Sequence, residues 1–288
     1  MTENESPVDL KVAGLFSYPV KSCRGIAHVQ ADVLNSGLRH DREWMVVDAR
    51  HSPAKFLTQR ELPLMATLTV AVQVDGGLLL SSGDDDLLAM PPPANNKLLK
   101  VKVWSHETVA LDAGDAAAAW LAARLGMSAA RVRLVRFHPN LRRDCNRRYA
   151  GEGGAHTFFA DGYPLLITSL SSLADLNDRM GRDVSNAMPM NRFRPNVVIG
   201  GLPAWDEDHL DTLCIGEVLL KLAKPCVRCQ VTTTDQMSGA RLSDEPLNTL
   251  ARFRNNPDLG GVTFGWNAVV IKAGRMSLTD HVTAKYRF

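Results

Sequence analysis

Short runs of apolar and β-branched residues, separated by turn residues, dominate the first third of the chain. Runs of this length and composition are typical of β-strands, whose side chains alternate between two faces. An Asp-Gly-Gly turn at 75–77 joins two of the runs and predicts a hairpin. The predicted strands of this region cover 12–20, 25–34, 43–49, 64–74, 77–82, 98–104 and 108–113.

Three later segments carry helix signals. Residues 115–125, DAAAAWLAARL, lie between Gly114 and Gly126, which suit the two ends of a helix. Serines begin a second helix over 169–181, and 246–254 is a short amphipathic helix. The segments between them predict strands over 132–138, 163–169, 193–201, 212–225 and 261–278, with a hairpin around Gly216, and a loop over 141–156.

The order of these elements indicates the fold class. Strands and helices do not alternate regularly, which favours mixed β-rich barrels over a doubly wound parallel sheet. We therefore predict an α+β, β-rich fold with two mixed β-barrel-like domains and a few short helices. The predicted domains are 1–125 and 126–288, divided at the end of the first helix.

Composition excludes several classes of protein. The 288 residues are 45% hydrophobic and 22% charged, so a hydrophobic core of ordinary size is available. A net charge of +2 gives no reason to expect a stable nucleic-acid complex. No apolar run approaches the roughly 18 residues of a membrane span, and the polar N-terminus lacks a secretory signal. We expect a cytoplasmic protein that does not bind membranes. Its five cysteines, an odd number, do not predict a disulfide framework.

The sharpest chemical signal is KPCVRCQVTTTD, residues 224–235. Thiolates are ligands for soft metals, and the positive charges of Lys224 and Arg228 favour the thiolate form of Cys226 and Cys229. A structural zinc site would need a second pair of ligands, and a dithiol redox site would precede a helix rather than a β-prone segment. Two buried, unreactive cysteines are the remaining alternative.

Cationic and hydroxyl side chains cluster near predicted strand ends. Such groups can grip a phosphate, arginine in a bidentate manner, and hydroxyls at a helix start form an anion site. A solvated sheet edge and simple helix capping are the structural alternatives. The residues in question are Lys21, Ser22, Arg24, Arg39, Arg42, Thr168, Ser169, Arg192, Arg194 and Asn196.

An arginine-rich stretch, 131–148, holds seven arginines and one acidic residue, Asp144. It suits either docking of an acidic partner or a solvated, mobile loop. The sequence has no H-E-x-x-H, G-x-S-x-G, Walker or G-x-G-x-x-G motif. No motif therefore supports a hydrolase, kinase or dinucleotide-dependent dehydrogenase function.

Six motifs, taken in order, resemble the MOSC superfamily, the molybdenum-cofactor sulfurase C-terminal domain proteins. The resemblance is to the branch with an N-terminal MOSC β-barrel domain, which includes bacterial N-hydroxylated-base reductases and the mitochondrial amidoxime-reducing component. The motifs span nearly the whole chain: YPVKSCRGI, GLRHDREWMVVD, FLTQRELPLM, FADGYPLLITSLSSLADLN, NRFRPNVVIGG and KPCVRCQVTTTD.

The resemblance implies a molybdenum cofactor in its molybdopterin form, held between two β-rich domains. It implies that Cys229 is the protein ligand of molybdenum. Asp235 is a further catalytic candidate that would tune Cys229 or orient a substrate amine, and the role of Cys226 stays open. The implied cofactor-binding residues are Lys21, Ser22, Arg42, Thr168, Ser169, Arg194, Asn196 and Arg228.

The implied function is reductive N–O bond cleavage, at molybdenum, in small N-hydroxylated substrates such as hydroxylaminopurines, amidoximes and hydroxylamines. Because the chain has no C-x₄-C-x₂-C run, we expect electrons from a separate donor, a ferredoxin-like protein or a flavoprotein with a cytochrome b5-like protein. The stretch 131–148, including Arg142 and Arg143, would help to dock it. The alternatives are a sulfur carrier with a persulfide on Cys229, and a cofactor-storage protein without turnover.

Overall fold

The computed structural model describes residues 9–83, 86–93, 97–151 and 153–287, so most of the polar N-terminus considered above lies outside the described residues. The strands of the first half are β1 (Lys11–Ser17), β2 (Ile26–His28), β3 (Gln30–Leu34), β4 (Gly37–Leu38), β5 (Trp44–Asp48), β6 (Ala54–Phe56), β7 (Thr69–Val72), β8 (Leu78–Ser81), β9 (Leu87–Met90), β10 (Leu98–Val103), β11 (His106–Asp112) and β12 (Val132–Phe137).

The second half continues with further short strands and one long pair. These strands are β13 (Arg143–Asp144), β14 (His156–Thr157), β15 (Leu165–Ser169), β16 (Val197–Gly200), β17 (Leu210–Ile215), β18 (Val218–Val227), β19 (Asn255–Asn256), β20 (Gly261–Lys272), β21 (Gly274–Ser277) and β22 (Val282–Tyr286). The α-helices are α1 (Asp115–Leu125), α2 (Arg147–Ala150), α3 (Leu170–Arg179) and α4 (Leu247–Phe253).

A closed five-stranded barrel forms in the order β10-β11-β12-β5-β6. Strand β5 shows why a barrel strand with two buried faces has a continuous run of apolar residues. Met45 and Val47 belong to the core that includes strands β10 and β11, whereas Trp44 and Val46 belong to a second core with α1. Because successive side chains of a strand point to opposite faces, a strand buried on both faces must be apolar at every such position.

A larger sheet has the order β2-β1-β16-β15-β20-β18-β17-β22, with β19 paired to β20. The first strand of the chain pairs antiparallel with β16, in the second half. Strand β12, which follows α1, pairs with β5 and β11 in the barrel. The barrel and the sheet together confirm the predicted β-rich α+β fold.

The local predictions hold for the elements with strong end signals. Helix α1 spans the predicted 115–125 and ends at Gly126, whose left-handed backbone (φ 65°) forms the C-terminal cap. The hairpin around Gly216 joins β17 and β18. The segment 141–156, predicted as a loop, contains β13, α2 and the start of β14. None of the helices in the described residues has the length and apolar character needed to cross a membrane.

Gly265, within β20, provides a test of how tightly the sheet packs beside the cavity described below. Its φ is +70°, and an added Cβ would lie 2.5 Å from the backbone oxygen of Ile167. Gly260 has the same φ of +70° with nothing within 4 Å of the added atom. We expect both alanine substitutions to cost roughly 1–2 kcal/mol of left-handed strain, and Gly265→Ala to cost about 1–3 kcal/mol more for overpacking.

Urea unfolding of the two variants measures that difference directly. Equal free energies of unfolding for Gly265→Ala and Gly260→Ala would show that β20 and β15 can move apart without loss.

Candidate functional site

A cleft with about 880 Å³ of empty space, open solvent at its mouth included, lies where the first third of the chain meets the large sheet. Its wall brings together residues that are far apart in sequence. Seven of the predicted site residues line it: Lys21, Ser22, Arg42, Arg194, Asn196, Arg228 and Cys229. The resemblance-based motifs therefore converge on one cavity.

Three of these seven residues have a left-handed backbone. Ser22 has φ 70°, Arg42 has φ 49° and Arg194 has φ 55°. Non-glycine residues adopt this conformation at a cost, and it concentrates at functional sites. At each of the three positions the left-handed backbone turns the chain sharply at the cavity wall. Ser22 lies just beyond the isolated β-bridge between Val20 and Trp44.

Two arginines of the cavity wall lie against one aromatic ring, that of Tyr18. The guanidinium carbons of Arg42 and Arg194 lie 4.1 and 4.2 Å from the ring centroid of Tyr18. Arg42 donates to both carboxylate oxygens of Asp41, at 2.8 and 2.7 Å, and to Oδ1 of Asn196 at 3.1 Å. Burial raises the pKa of Tyr18 to about 12, against the opposing effect of Arg194, so the ring stays a neutral partner for both cations.

Lys21 occupies a second, neighbouring part of the wall. Its ammonium donates to the backbone oxygen of Phe159 at 2.9 Å and to Oδ1 of Asp161 at 2.7 Å. Burial lowers the pKa of Lys21, and the carboxylate of Asp161 opposes that shift. Asp161 also accepts a hydrogen bond from Nε1 of Trp104, at 3.1 Å.

The C-V-R-C segment places its two thiols differently. Cys229 is exposed and follows the end of β18. Cys226 is half-buried, and its Sγ accepts a hydrogen bond from Nη1 of Arg228 at 2.9 Å. Nη2 of Arg228 donates to the backbone oxygen of Phe193 at 2.6 Å. Cys226 thus orients Arg228, while the thiol of Cys229 stays accessible from the cavity.

Buried cationic groups in this wall retain unused hydrogen-bond donors. Nη2 of Arg194 and Nε of Arg228 are buried without a partner in the described residues. Burial lowers the pKa of Arg194 to about 10, which still leaves it charged at neutral pH. A buried donor without an acceptor is costly. An anionic ligand rich in oxygen would supply acceptors and charge together.

Three predicted residues do not line the cavity. Thr168 and Ser169 are fully buried in β15, which lies between β16 and β20 with both faces covered. Oγ1 of Thr168 donates to Sδ of Met190 at 3.3 Å, and Oγ of Ser169 has no partner in the described residues and caps no helix. Their assignment to cofactor binding stays a prediction.

The carboxylate of Asp235 binds Arg192 and groups of its own loop. Its carboxylate accepts from Nη2 of Arg192 at 3.0 Å, from the backbone N–H groups of Met237 and Ser238, and from the Ser238 hydroxyl. Arg192 also donates to the backbone oxygen of Thr233. These contacts hold the segment after Cys229 in place, and Asp235 does not line the cavity with Cys229.

The arginines of the stretch 131–148 lie in different environments in the structure. Arg133 and Arg136 lie on β12, Arg131 directly precedes it, and the three pair with Asp112, Glu43 and Asp48. Arg143 is buried; Nε donates to the oxygen of Phe158 at 2.6 Å, and its two Nη atoms donate to the oxygens of Ala160 and Asp161. It cannot contact a docked partner, since buried backbone oxygens need its donors. Exposed cations remain at Arg142, Arg147 and Arg148.

Sequence reasoning missed several residues of this site. Tyr18 and Asp161 stand inside motifs that the resemblance had already singled out, and that position was the available signal. Arg60 and Trp104 also line the cavity, and no motif marks Trp104. Within the described ranges no three His, Cys, Asp or Glu side chains cluster as a metal site, so a metal caged by protein ligands, as in structural zinc, has no set of ligands there.

Arg143 should stabilise the cavity wall, because residues 158–161 carry the oxygens that it binds and the partners of Lys21. We expect Arg143→Leu to lower the free energy of unfolding by about 3 kcal/mol, since buried oxygens lose charged donors. The matched control is Arg142→Leu, whose exposed side chain pairs only with Asp144 in the described residues and should leave stability close to wild type. Similar unfolding curves for the two variants would contradict the assigned role.

Comparisons with known proteins agree with this architecture. The family model for the MOSC N-terminal beta barrel domain matches residues 9–128, and the model for the MOSC domain matches residues 155–283. The chain is 35% identical over 250 residues to mitochondrial amidoxime-reducing component 1 of Mus musculus, covering 84% of this chain and 71% of the relative. The human component 1 is 35% identical over 255 residues, with 84% and 72% covered, and the Bos taurus component 2 is 34% identical over 250 residues, also with 84% and 72% covered. The protein is therefore a member of the MOSC family, with an N-terminal MOSC β-barrel domain, and a homologue of the mitochondrial amidoxime-reducing components.

Proposed function

We propose that this protein is a molybdenum-cofactor-dependent reductase of N-hydroxylated compounds. One observation carries the proposal: six residues predicted to bind the cofactor converge on one cationic cavity with the thiol of Cys229. The names of the relatives, amidoxime-reducing components, support the reaction class. The net reaction breaks one N–O bond, consumes two electrons and two protons, and yields the amine or amidine and water.

The wall of the cavity fits a phosphate-bearing cofactor. Arg194 and Arg228 have buried N–H donors without partners in the described part of the chain, and Lys21 and Arg42 add positive charge beside them. The cofactor would be held by Lys21, Ser22, Arg42, Arg194, Asn196 and Arg228. The Cys229 thiolate is a soft ligand that suits a metal already bound to sulfur. When bound, the cofactor supplies a metal centre that exchanges electrons with donor and substrate.

The residues around the thiol have distinct tasks in this proposal. Cys226 and the backbone oxygen of Phe193 each accept a hydrogen bond from Arg228. These two bonds fix the position of its guanidinium, including the buried Nε. Asn196 accepts from both Arg42 and the backbone N–H of Leu166, which holds Arg42 against the sheet. These contacts organise the site before any ligand binds, which lowers the cost of binding.

The first test is the molybdenum content of protein expressed in a host that makes the cofactor. We expect about one molybdenum per wild-type chain, with reduction of benzamidoxime by an artificial electron donor. Cys229→Ala should lower turnover by at least a hundredfold, because the metal loses its only protein ligand in the proposal. Cys214→Ser is the control, since Cys214 lies on β17 outside the cavity, and it should behave as wild type.

Activity of Cys229→Ala near the wild-type level would refute the ligand assignment. Wild-type protein without molybdenum from a competent host would refute the proposed cofactor. A persulfide on Cys229, found by mass spectrometry of the intact chain, would then favour the sulfur-carrier alternative, for which an exposed thiol is also suited.

We also propose that a separate acidic protein delivers the electrons. The five cysteines of the sequence include no run typical of an iron–sulfur cluster. Arg147 and Arg148 are exposed on α2, a few residues from Arg143, which contacts the cavity wall. Exposed cations steer an acidic partner and raise its rate of association.

Reversal of both charges, Arg147→Glu with Arg148→Glu, should lower donor-coupled turnover about tenfold at low salt and flatten its salt dependence. Turnover with a small artificial donor should stay at the wild-type level. The control reverses the same amount of charge at the exposed Lys221 and Arg252, on β18 and α4. An equal loss in both double variants would mean that net charge, rather than this surface, controls docking.

A further inference from the structure

The turn in which Trp104 lies does not explain why a tryptophan occupies this position. Strands β10 and β11 pair as far as Val103 and His106, so Trp104 and Ser105 form a two-residue turn. Trp104 has φ 55°, a conformation for which glycine, asparagine and aspartate are the favoured residues. A bulky residue in this region is an outlier, and such outliers concentrate at functional sites.

The indole of Trp104 is held in place yet remains open. Its Nε1 donates to Asp161, and its ring meets the ring of Phe56 edge-on, with centroids 5.1 Å apart. The guanidinium carbon of Arg60 lies 5.0 Å from the centroid. Despite these contacts, 48% of the residue is exposed, and it lines the same cavity as Cys229. The cavity wall therefore includes a fixed aromatic side chain that is about half exposed, with the guanidinium of Arg60 over part of its ring.

Arg60 adds hydrogen-bond donors beside that surface. Its Nε bonds to Oγ1 of Thr58 at 3.3 Å, and in the described part of the chain it forms no ion pair with a carboxylate. The backbone oxygen of Arg60 is held by Nη1 of Arg241 at 3.1 Å, which fixes the segment. Its free guanidinium N–H groups suit the nitrogen or oxygen acceptors at the edge of a heteroaromatic ring.

We propose that Trp104 and Arg60 form a substrate platform that selects planar heteroaromatic N-hydroxylated compounds over aliphatic hydroxylamines. The inference rests on the proposed reductase function and narrows its substrate class. Stacking on an aromatic side chain accounts for a large part of the affinity for a planar base and gives nothing comparable to a small aliphatic molecule. Trp104 lies in the turn between two barrel strands, whereas Cys229 follows a strand of the sheet, and both line the same cavity.

The test compares two substrates on holoenzyme with an artificial electron donor. For 6-hydroxylaminopurine, Trp104→Leu should lower kcat/KM roughly tenfold through a higher KM, the size expected for one lost stacking contact. For N-methylhydroxylamine, kcat/KM should change less than about twofold. Trp104→Phe should restore most of the purine activity, since it keeps the aromatic face. The control is Tyr286→Leu, an exposed aromatic residue outside the cavity, which should leave both substrates unchanged.

An equal loss for both substrates, or no loss for either, would overturn the platform while leaving the reductase function standing. If the wild-type holoenzyme reduces neither compound, the proposed function fails, and calorimetric binding of adenine decides the platform by itself. Roughly tenfold weaker binding of adenine to Trp104→Leu than to wild type would then support it, and equal affinity would overturn it.

Discussion

The arrangement of the cavity depends on the guanidinium of Arg42. It donates to Asp41, to Oδ1 of Asn196 and to the backbone oxygen of Arg194. Asn196 in turn accepts from the N–H of Leu166 and donates to the oxygen of Phe16. One side chain therefore links the segment before β5 to the strands β1 and β15. The carboxylate of Asp41 also compensates one of the two positive charges that lie on the ring of Tyr18, since an unpaired charge in a buried wall is strongly unfavourable.

Both halves of the chain contribute cationic side chains to the cavity, whereas the thiol and the exposed indole come from different halves. The sheet carries Cys229, Arg228 and Arg194, which combine a soft ligand with charged donors. The barrel side carries Trp104, an aromatic surface at the mouth. Such a division suits a reaction in which one partner is a charged cofactor and the other is a small, planar substrate.

The arginine-rich stretch shows where sequence reasoning stops. A run of like charges indicates a solvated or docking surface, but the strand β12 places its arginines beside the carboxylates of other segments. Arg143 differs from Arg142 by one position only. Arg143 begins β13 and is buried against backbone oxygens, whereas Arg142 precedes the strand and is exposed.

Local pattern alone determined strands such as β5, β11 and β12, α1 with its glycine cap, the hairpin at Gly216 and the β-rich class of the fold, since these depend on neighbouring residues. Strands β6, β9 and β22 were not predicted. The motifs also identified the residues that converge on the cavity, such as Lys21 and Cys229. Tertiary structure alone decided that β1 joins the second half, that Thr168 is buried between two strands, and that Trp104 reaches the cavity. Those outcomes depend on which segments pack together across separations from 30 residues, between Thr168 and Val198, to 189 residues, between Lys11 and Gly200. No short-range pattern in the sequence records that choice.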